Sequence, residues 1–475
     1  MNEKMTHTQS YINGDFVNTT RSYENIDPST GKSLGTVARS DAAEVDLAVS
    51  AARAAQKAWS RTSPEERASL LTKFADLILA EKEDLARMES EDTGKPLTQA
   101  RADAVTCARY FQFYGHAIDS YYGVTIPLQA DMHVYTRREP YGVTAHVLAW
   151  NYPMQLFARA VAPAIATGNC SVVKPADETP RTAVRLAALA IQAGIPRGVL
   201  NVVTGIGTEA GAALSKHPGV DHIGFVGSTQ TGSVIATAAA ERVVPVTLEL
   251  GGKSAHIVFP DTDLDVSAHY VTKGILANAG QTCSAGSRLL VHSSIYEEML
   301  DKVVVNLTKA TIGPGLDDKD LGPLVSLKQQ ARVRGMVDAA VGEILVGGGI
   351  PDNLSGGAFF EPTLIAGVDP TSTIAQEEVF GPVLVAMSFD TEEEAVALAN
   401  GTAYGLMSAV WTRDIGRAHR LSADIHAGQV YVNAYGAGGG VELPFGGFKK
   451  SGYGREKGYE ALDAYTETKT VIMKL

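Results

Sequence analysis

Apolar and polar residues alternate along this chain in distinct rhythms, and the rhythm changes twice. From residue 41 to residue 89 the apolar positions recur at helical spacing. "SDAAEVDLAVSAARAAQKAWS" opens on Ser-Asp, and "SPEERASLLTKFADLILAEKEDLARMES" opens on Ser-Pro-Glu-Glu. Both openings suit a helix N-terminus. Between residues 141 and 260 short β-branched runs ("YGVTAHVLAW", "CSVVKP", "VLNVVTG", "HIGFVG", "PVTLELGG") alternate with helical ones ("MQLFARAVAPAIATG", "TPRTAVRLAALAIQAG", "TEAGAALSKH", "TQTGSVIATAAAE"). Continuous apolar runs fit strands buried on both faces, and their alternation with helices predicts parallel βαβ units and an α/β fold. A second α/β region is expected over about 254–450. Two segments leave the scheme: "MHVYTRREP" (132–140) and "TETKTVIMKL" (466–475). Both read as strands outside the main sheets. Exposed strands commonly pair with a partner chain, so they are expected to serve oligomerisation.

Composition narrows the classes. The chain has 475 residues, too many for one ordinary core, so two or three domains are expected. Hydrophobic residues at 45% and charged residues at 20% fit a soluble globular protein. The N-terminal stretch "MNEKMTHTQSYINGDF" has no apolar run, and no segment approaches about eighteen consecutive apolar residues. Neither a secretory signal nor a membrane span is expected. The formal charge of -12 argues against a nucleic-acid or acidic-membrane partner. Three cysteines, Cys107, Cys170 and Cys283, are too widely spaced for a disulfide framework or a metal cluster. No metal is expected, and a reducing, cytoplasmic compartment fits.

The chemistry gathers at strand ends, where ligands bind in open parallel sheets. Three strands in series end in glycine-bearing turns: "VVTGIGTEAG", "GFVGSTQTG" and "LELGGKS". The first two open helices, whose N-termini offer free N–H groups to a phosphate. "GIGTEAG" misses the G-x-G-x-x-G fingerprint, and any single turn is as well explained by tight packing; three on one sheet favour a nucleotide. "VVKPADETP" puts Lys174 at a strand end with Asp177 and Glu178 just beyond. An acidic group there accepts from a ribose 2'-hydroxyl and repels a 2'-phosphate, although a solvated loop reads equally well on this stretch alone.

Cys283 lies in "NAGQTCSAGSR", among small residues that pack a core poorly and leave room for a substrate. A lone cysteine is more often structural, yet a thiolate here would be a capable nucleophile. Glu249 ends the apolar strand "PVTLEL", where a carboxylate is costly unless solvated or paired, and is the candidate base. Asn151, after the strand in "LAWNYP", is placed to donate to an oxyanion or simply to form a turn.

Taken together, "AWNYP", "KPADETP", "GFVGSTQTG", "LELGGKS", "GQTCSAGSR", "EEVFGPV" and "PFGGFKKSGYGRE" resemble, in order and spacing, the motifs of the NAD(P)-dependent aldehyde dehydrogenase superfamily over nearly the whole chain. The resemblance implies a Rossmann-like parallel-sheet cofactor domain (1–117 and 141–253), an α/β catalytic domain (254–450) and a small β oligomerisation flap (118–140 and 451–475). It implies Cys283 as nucleophile, Glu249 as general base, Asn151 with the Cys283 N–H as oxyanion site, and Glu456 as a second carboxylate relaying protons to the first. For the cofactor it implies Lys174 and Asp177 at the adenosine ribose, and Gly227 and Ser228 at the pyrophosphate. Glu378 and Phe380 fall to the nicotinamide end; Trp150 and Leu250 lie in the same motifs, and Gly207, in the turn "VVTGIGTEAG", is a further expected cofactor residue. NAD is expected to be preferred, with tolerance of NADP left open. Tyr152, Met154, Gln155, Arg159, Thr282, Ser284, Tyr435 and Phe445 are expected to line the substrate tunnel, together with the rest of "YVNAYGAGGGVELPFGG".

One departure stands out. Many members carry a lysine nine residues after the catalytic Asn, where this chain has Ala160, preceded by Arg159. Arg159 is expected either near a substrate carboxylate or in a helix-surface salt bridge. The expected reaction is oxidation of an aldehyde to its acid through a cysteine thiohemiacetal and thioester. The apolar and aromatic tunnel residues favour an aromatic or medium-chain aldehyde; aromatic, betaine and semialdehyde substrates are not separated. The alternatives are a CoA-acylating or acyl-transferring enzyme of the same fold, against which Glu249 speaks, and a non-catalytic member, against which the retained triad speaks. A homodimer or homotetramer is expected.

Overall fold

A computed structural model describes residues 7–354, 356–436 and 439–475. Residues 1–6, part of the stretch read as lacking a signal, lie outside the described residues, as do Ala437 and Gly438 of the expected tunnel loop.

Five strands form a parallel array in the spatial order Val246–Glu249, His222–Val226, Val143–Val147, Cys170–Lys174, Leu200–Val202. The first strand in sequence is central, and the chain runs outward to one side and then to the other. That reversal makes a crevice beyond the carboxyl end of Val143–Val147, the topological switch point of a Rossmann-like sheet. Four of the five strands are buried at every residue, which is why their sequences are continuous apolar runs. The sheet continues antiparallel at both ends. Ser10–Ile12 and Asp15–Val17 extend one side, and Gly452–Tyr453 pairs with Val246–Glu249 on the other. The reading of 451–475 as an oligomerisation element is therefore corrected at its start. Gly452–Tyr453 belongs to the first sheet, since Gly452 has the φ of +110° and the missing Cβ that let its backbone meet the Leu248 carbonyl.

The second sheet has the order Glu343–Val346, Thr363–Ala366, Val383–Phe389, Arg288–His292, Ala255–Val258, Met407–Trp411, Gln429–Val432. It is parallel except for Glu343–Val346. Met132–Pro140 and Thr466–Lys474 lie outside both sheets, as their sequences suggest, and pair antiparallel with each other over nine positions.

Four helices precede the central strand: Ala42–Trp59, Pro64–Ala80, Lys82–Thr93 and Leu97–Ala117. Asp41 and Glu44 form a reciprocal cap on the first, and Ser63 accepts from the Glu66 N–H at 3.2 Å to cap the second. Pro153–Ala166, the helix that carries the site, is buried along nearly its whole length against the first sheet and Leu97–Ala117.

Candidate active site

The nucleophile loop is held by its own polar groups. Asn278 and Ala279 adopt left-handed φ values of 48° and 55°, a conformation non-glycine residues adopt only under constraint. The constraint is visible. Asn278 Nδ2 donates to the Asn151 carbonyl at 2.8 Å, and the Val325 N–H donates to Gln281 Oε1 at 2.8 Å. Cys283 follows, and its Sγ lies 3.6 Å from Glu249 Oε2. The loop can approach the end of Val246–Glu249 because the next residues are glycines. A Cβ on Gly252 would stand 2.3 Å from the Cys283 carbonyl oxygen, and one on Gly251 would stand 2.5 Å from Glu378 Oε2.

These residues border a cavity of about 390 Å³. Of the expected catalytic groups, Cys283, Glu249 and Asn151 line it. Asn151 Nδ2 donates to the Gln281 carbonyl at 3.0 Å, which uses one of its two amide hydrogens and leaves the other. Glu249 is 1% exposed, and its Oε1 is buried without a hydrogen-bond partner among the described residues. Burial pushes its carboxyl up to about 7, against the pull of Arg159 and with the help of Glu456. Burial and the Glu249 carboxylate push the Cys283 thiol well up as well. The pair is thus a protonated thiol beside a base poised near neutrality.

Arg159 is not on a helix surface. Its Nη2 is 2.9 Å from Glu249 Oε2 and its Nε 2.5 Å from Glu456 Oε2. Among the described residues Glu456 does not border the cavity, and it meets the base through this arginine. It is tied to Phe445 by two backbone hydrogen bonds of 2.7 Å.

The expected cofactor residues form two groups along the strand ends. Asp177 pairs with Lys174 through Oδ1 and accepts the Gly207 N–H at 3.2 Å through Oδ2. A Cβ on Gly207 would lie 3.8 Å from Lys174 Nζ, so the three converge on one spot. Trp150, Gly227, Ser228, Leu250, Glu378 and Phe380 border the cavity itself. Ser228 caps Thr229–Ala240 by accepting from the Thr231 N–H at 3.2 Å. Glu378 Oε1 accepts the Gly252 N–H at 2.9 Å, and burial pushes this carboxyl up to about 7. Phe380, held at a left-handed φ of 57°, meets the Trp150 ring edge-on at 5.2 Å. A dinucleotide fits this donor set. Its ribose hydroxyls would be met by Lys174, Asp177 and Glu378, and its pyrophosphate by the first turn of Thr229–Ala240.

Of the expected substrate residues, Tyr152, Gln155, Arg159, Thr282, Ser284 and Phe445 line the cavity. Tyr435 instead borders an adjoining cavity of about 620 Å³ that shares Tyr152, Gln155, Thr282 and Ser284, and its hydroxyl donates to the Ser284 carbonyl at 2.5 Å. Met154 is a correction. It is fully buried in the core around the first sheet, because Tyr152, Gln155 and Arg159 follow helical spacing and Met154 lies off that face. Its N–H donates to Glu89 Oε2 at 3.1 Å.

Sequence reasoning missed a buried cluster behind this wall. Lys95 pairs with Glu89 at 2.9 Å and with Asp103, and stands 4.1 Å over the Tyr152 ring, while Gln155 Nε2 donates to Asp103 Oδ1 at 2.6 Å. It also missed Tyr110, Gln329, Arg332 and Lys457 on the cavity wall. Arg332 donates to the Glu378 carbonyl at 2.7 Å and Gln329 to that of Phe380 at 2.8 Å, so both shape the "EEVFGPV" turn. No local pattern marks them; only tertiary contact does.

A model described as "Aldehyde dehydrogenase family" matches residues 16–471. A NADP/NAD-dependent aldehyde dehydrogenase of Escherichia coli is 42% identical over 98% of this chain and 95% of its own length. A hydroxyisobutyraldehyde dehydrogenase of Mycolicibacterium austroafricanum is 40% identical over 98% and 93%. The indole-3-acetaldehyde dehydrogenase of P. syringae, solved in complex with NAD+ and IAA, is 40% identical, superposes with a TM-score of 0.96, and is matched over 98% of this chain and 96% of that one.

Proposed function

The chain belongs to the aldehyde dehydrogenase family, and from that premise we propose that it oxidises an aromatic or medium-chain aldehyde through a covalent adduct on Cys283, with Glu249 as base and Asn151 at the oxyanion. Its activity is that of an NAD(P)-dependent aldehyde dehydrogenase. The observation that carries the residue roles is the 3.6 Å contact between the Cys283 thiol and the buried Glu249 carboxylate in one cavity with Asn151.

Each residue has a definite task. The Cys283 thiol gives its proton to solvent in the cavity, and the thiolate attacks the aldehyde carbon. The oxygen, now negative, is held by the second amide hydrogen of Asn151 and the Cys283 N–H; losing one such donor costs on the order of 10²–10³ in rate. The bound nicotinamide dinucleotide supplies the hydride acceptor. The thioester left on Cys283 is released by water, whose proton goes to Glu249 through the unpartnered Oε1. Lys174, Asp177, Gly207, Gly227, Ser228, Leu250, Trp150, Glu378 and Phe380 hold the dinucleotide in this reading. A buried base beside the thioester favours hydrolysis over transfer to CoA.

Tyr110, Tyr152, Leu156 and Phe445 give the cavity an aromatic, apolar wall. Arg159 is doubly paired, so its charge is not available to a substrate carboxylate, which favours an aromatic or alkyl aldehyde over a semialdehyde. Residues 118–140 and 466–475 are proposed to join copies into a homodimer or homotetramer. Among the described residues no helix is long and apolar enough to cross a membrane. The three cysteines are free thiols, which suits a cytoplasmic protein.

The test pairs a variant with a substrate panel. Cys283→Ala is expected to abolish formation of reduced cofactor while NAD binding, measured by calorimetry, persists. In the wild type, kcat/KM is expected to be higher for benzaldehydes and medium-chain aldehydes than for semialdehydes. Turnover by the alanine variant would remove the nucleophile assignment, and a preference for semialdehydes would remove the substrate reading.

A further inference from the structure

The arginine beside the base has no role in the mechanism above. Its side chain is 9% exposed, those of Glu249 and Glu456 are 1% and 4% exposed, and it meets them through different nitrogens. One guanidinium therefore bridges two buried carboxylates, and among the described residues no hydrogen bond joins the carboxylates directly. Arginine keeps its proton at any ordinary pH, so it passes none from one carboxylate to the other. Ala160, buried and without a polar side chain, offers no other route. We infer that Arg159 is a positioning residue, a fixed cationic clamp that holds Glu249 beside Cys283, and that Glu456 is the counter-charge that steadies and weakens this clamp rather than a proton relay. The inference rests on the reading of Glu249 as the water-activating base.

Burial holds both Glu249 and Glu456 above the ordinary carboxylate range, and Arg159 is the first group that pulls each of them back. Cys283 and Glu378 face Glu249 from the nucleophile loop and the "EEVFGPV" turn. Tyr110 faces Arg159 from Leu97–Ala117, and burial pushes its hydroxyl up, so it stays neutral. The Phe445 ring lies 5.2 Å from the guanidinium. Lys457 is the other nearby cation; burial, and next Arg159, bring it down to about 8, so it stays charged below that pH.

The signs then separate the clamp from a relay. Glu249 acts as base only when deprotonated, so activity rises with pH through its titration. Removing the cation makes the carboxylate harder to deprotonate and moves the acid limb up. Removing the opposing carboxylate leaves the cation to Glu249 alone and moves the limb down. A relay instead loses rate at every pH when Glu456 is neutralised, without a downward shift.

The experiment measures the pH profile of thioester hydrolysis across the titration of Glu249 in wild type, Arg159→Met, Arg159→Lys, Glu456→Gln and Glu249→Gln, with Lys457→Met as the control for that lysine's own titration. The pre-steady-state burst of reduced cofactor reports that each variant folds and acylates. The limb is expected to rise by about one pH unit in Arg159→Met and to fall in Glu456→Gln. Arg159→Lys should restore its position while remaining slower, because one ammonium cannot match the two-sided fork. If Arg159→Met gives no burst, the lysine and glutamine variants carry the test. A uniform loss of rate in Glu456→Gln, or an unmoved limb in Arg159→Met, overturns the clamp. Glu249→Gln should give a burst without steady turnover. If it turns over at the wild-type rate, the base reading itself fails, whereas a stalled Glu249→Gln with unshifted limbs removes only the role of Arg159.

Discussion

Asp177 sits where two demands meet. One oxygen pairs with Lys174 and the other accepts the Gly207 N–H, so its carboxylate is fixed at the strand end. A 2'-phosphate brought there meets a carboxylate at close range, whereas a 2'-hydroxyl can donate to it. Lys174 offsets part of that repulsion, and Glu178 is exposed next door, so the preference for NAD should be moderate. Asp177→Ser is expected to lower the NAD:NADP ratio of kcat/KM by about tenfold, or about 1.4 kcal/mol. An unchanged ratio would place selectivity elsewhere. The residues that could be read in the sequence share this kind of position. Cys283, Glu249, Asn151 and Lys174 each follow a recognisable strand end or a run of small residues. Arg159 could be seen but not understood, because its meaning lies in two carboxylates 90 and 297 positions away that only the fold brings to it. Met154 was misplaced because a motif quoted as consecutive letters hides the helical face.

At the level of elements, the nine alternating segments between 141 and 260 appear as strands and helices in the expected order, since each buried strand must be an apolar run and each connection a helix. The first turn of "TEAGAALSKH" departs by forming a π-helical turn at Gly207–Gly211, which brings the Gly207 N–H to Asp177. The N-terminal strands were not legible. Ser10–Ile12 is three residues long and joins the parallel array through a single registered pair, Tyr11 with Val202, too short for any period to show. The helical reading of 41–89 held its period across breaks at Ser60–Ser63 and Glu81, which caps one helix and opens the next. The turn after Val246–Glu249 is the element on which the site depends most. Gly252→Ala puts a methyl group 2.3 Å from the Cys283 carbonyl oxygen, a backbone atom that cannot swing aside, so the nucleophile loop must move. A displacement of about 1 Å in such a site costs on the order of 10² in rate. The variant should therefore lose kcat about a hundredfold with a native circular-dichroism spectrum; near wild-type kcat would show that the loop tolerates the shift.

The whole molecule leaves one edge open where the sequence suggested two. Met132–Pro140 is covered on both sides: Thr466–Lys474 pairs along one, and the Ile126 N–H donates to Val134 O at 2.9 Å and the Thr136 N–H to Val124 O at 2.8 Å along the other. Thr466–Lys474 has a described neighbour on one side alone. Its Ile472, Met473 and the following Leu475 are exposed, as are Tyr122, Val124 and Leu128 on the adjoining segment. An unpaired strand edge with an apolar flank is a site for another strand or sheet, and a second copy of this chain presents the same surface. Lys469 and Lys474 are paired to Glu139 and Asp131 within the flap, so their charges do not guard the edge. A stop after Thr466 removes the strand yet keeps Tyr465, whose ring packs on His146 and His222 in the core. The truncated chain is expected to retain its melting transition and to fall to a smaller assembly, dimer or monomer, in sedimentation velocity. If it sediments as the full-length protein does, the oligomer is built on another face and these strands serve only the single chain.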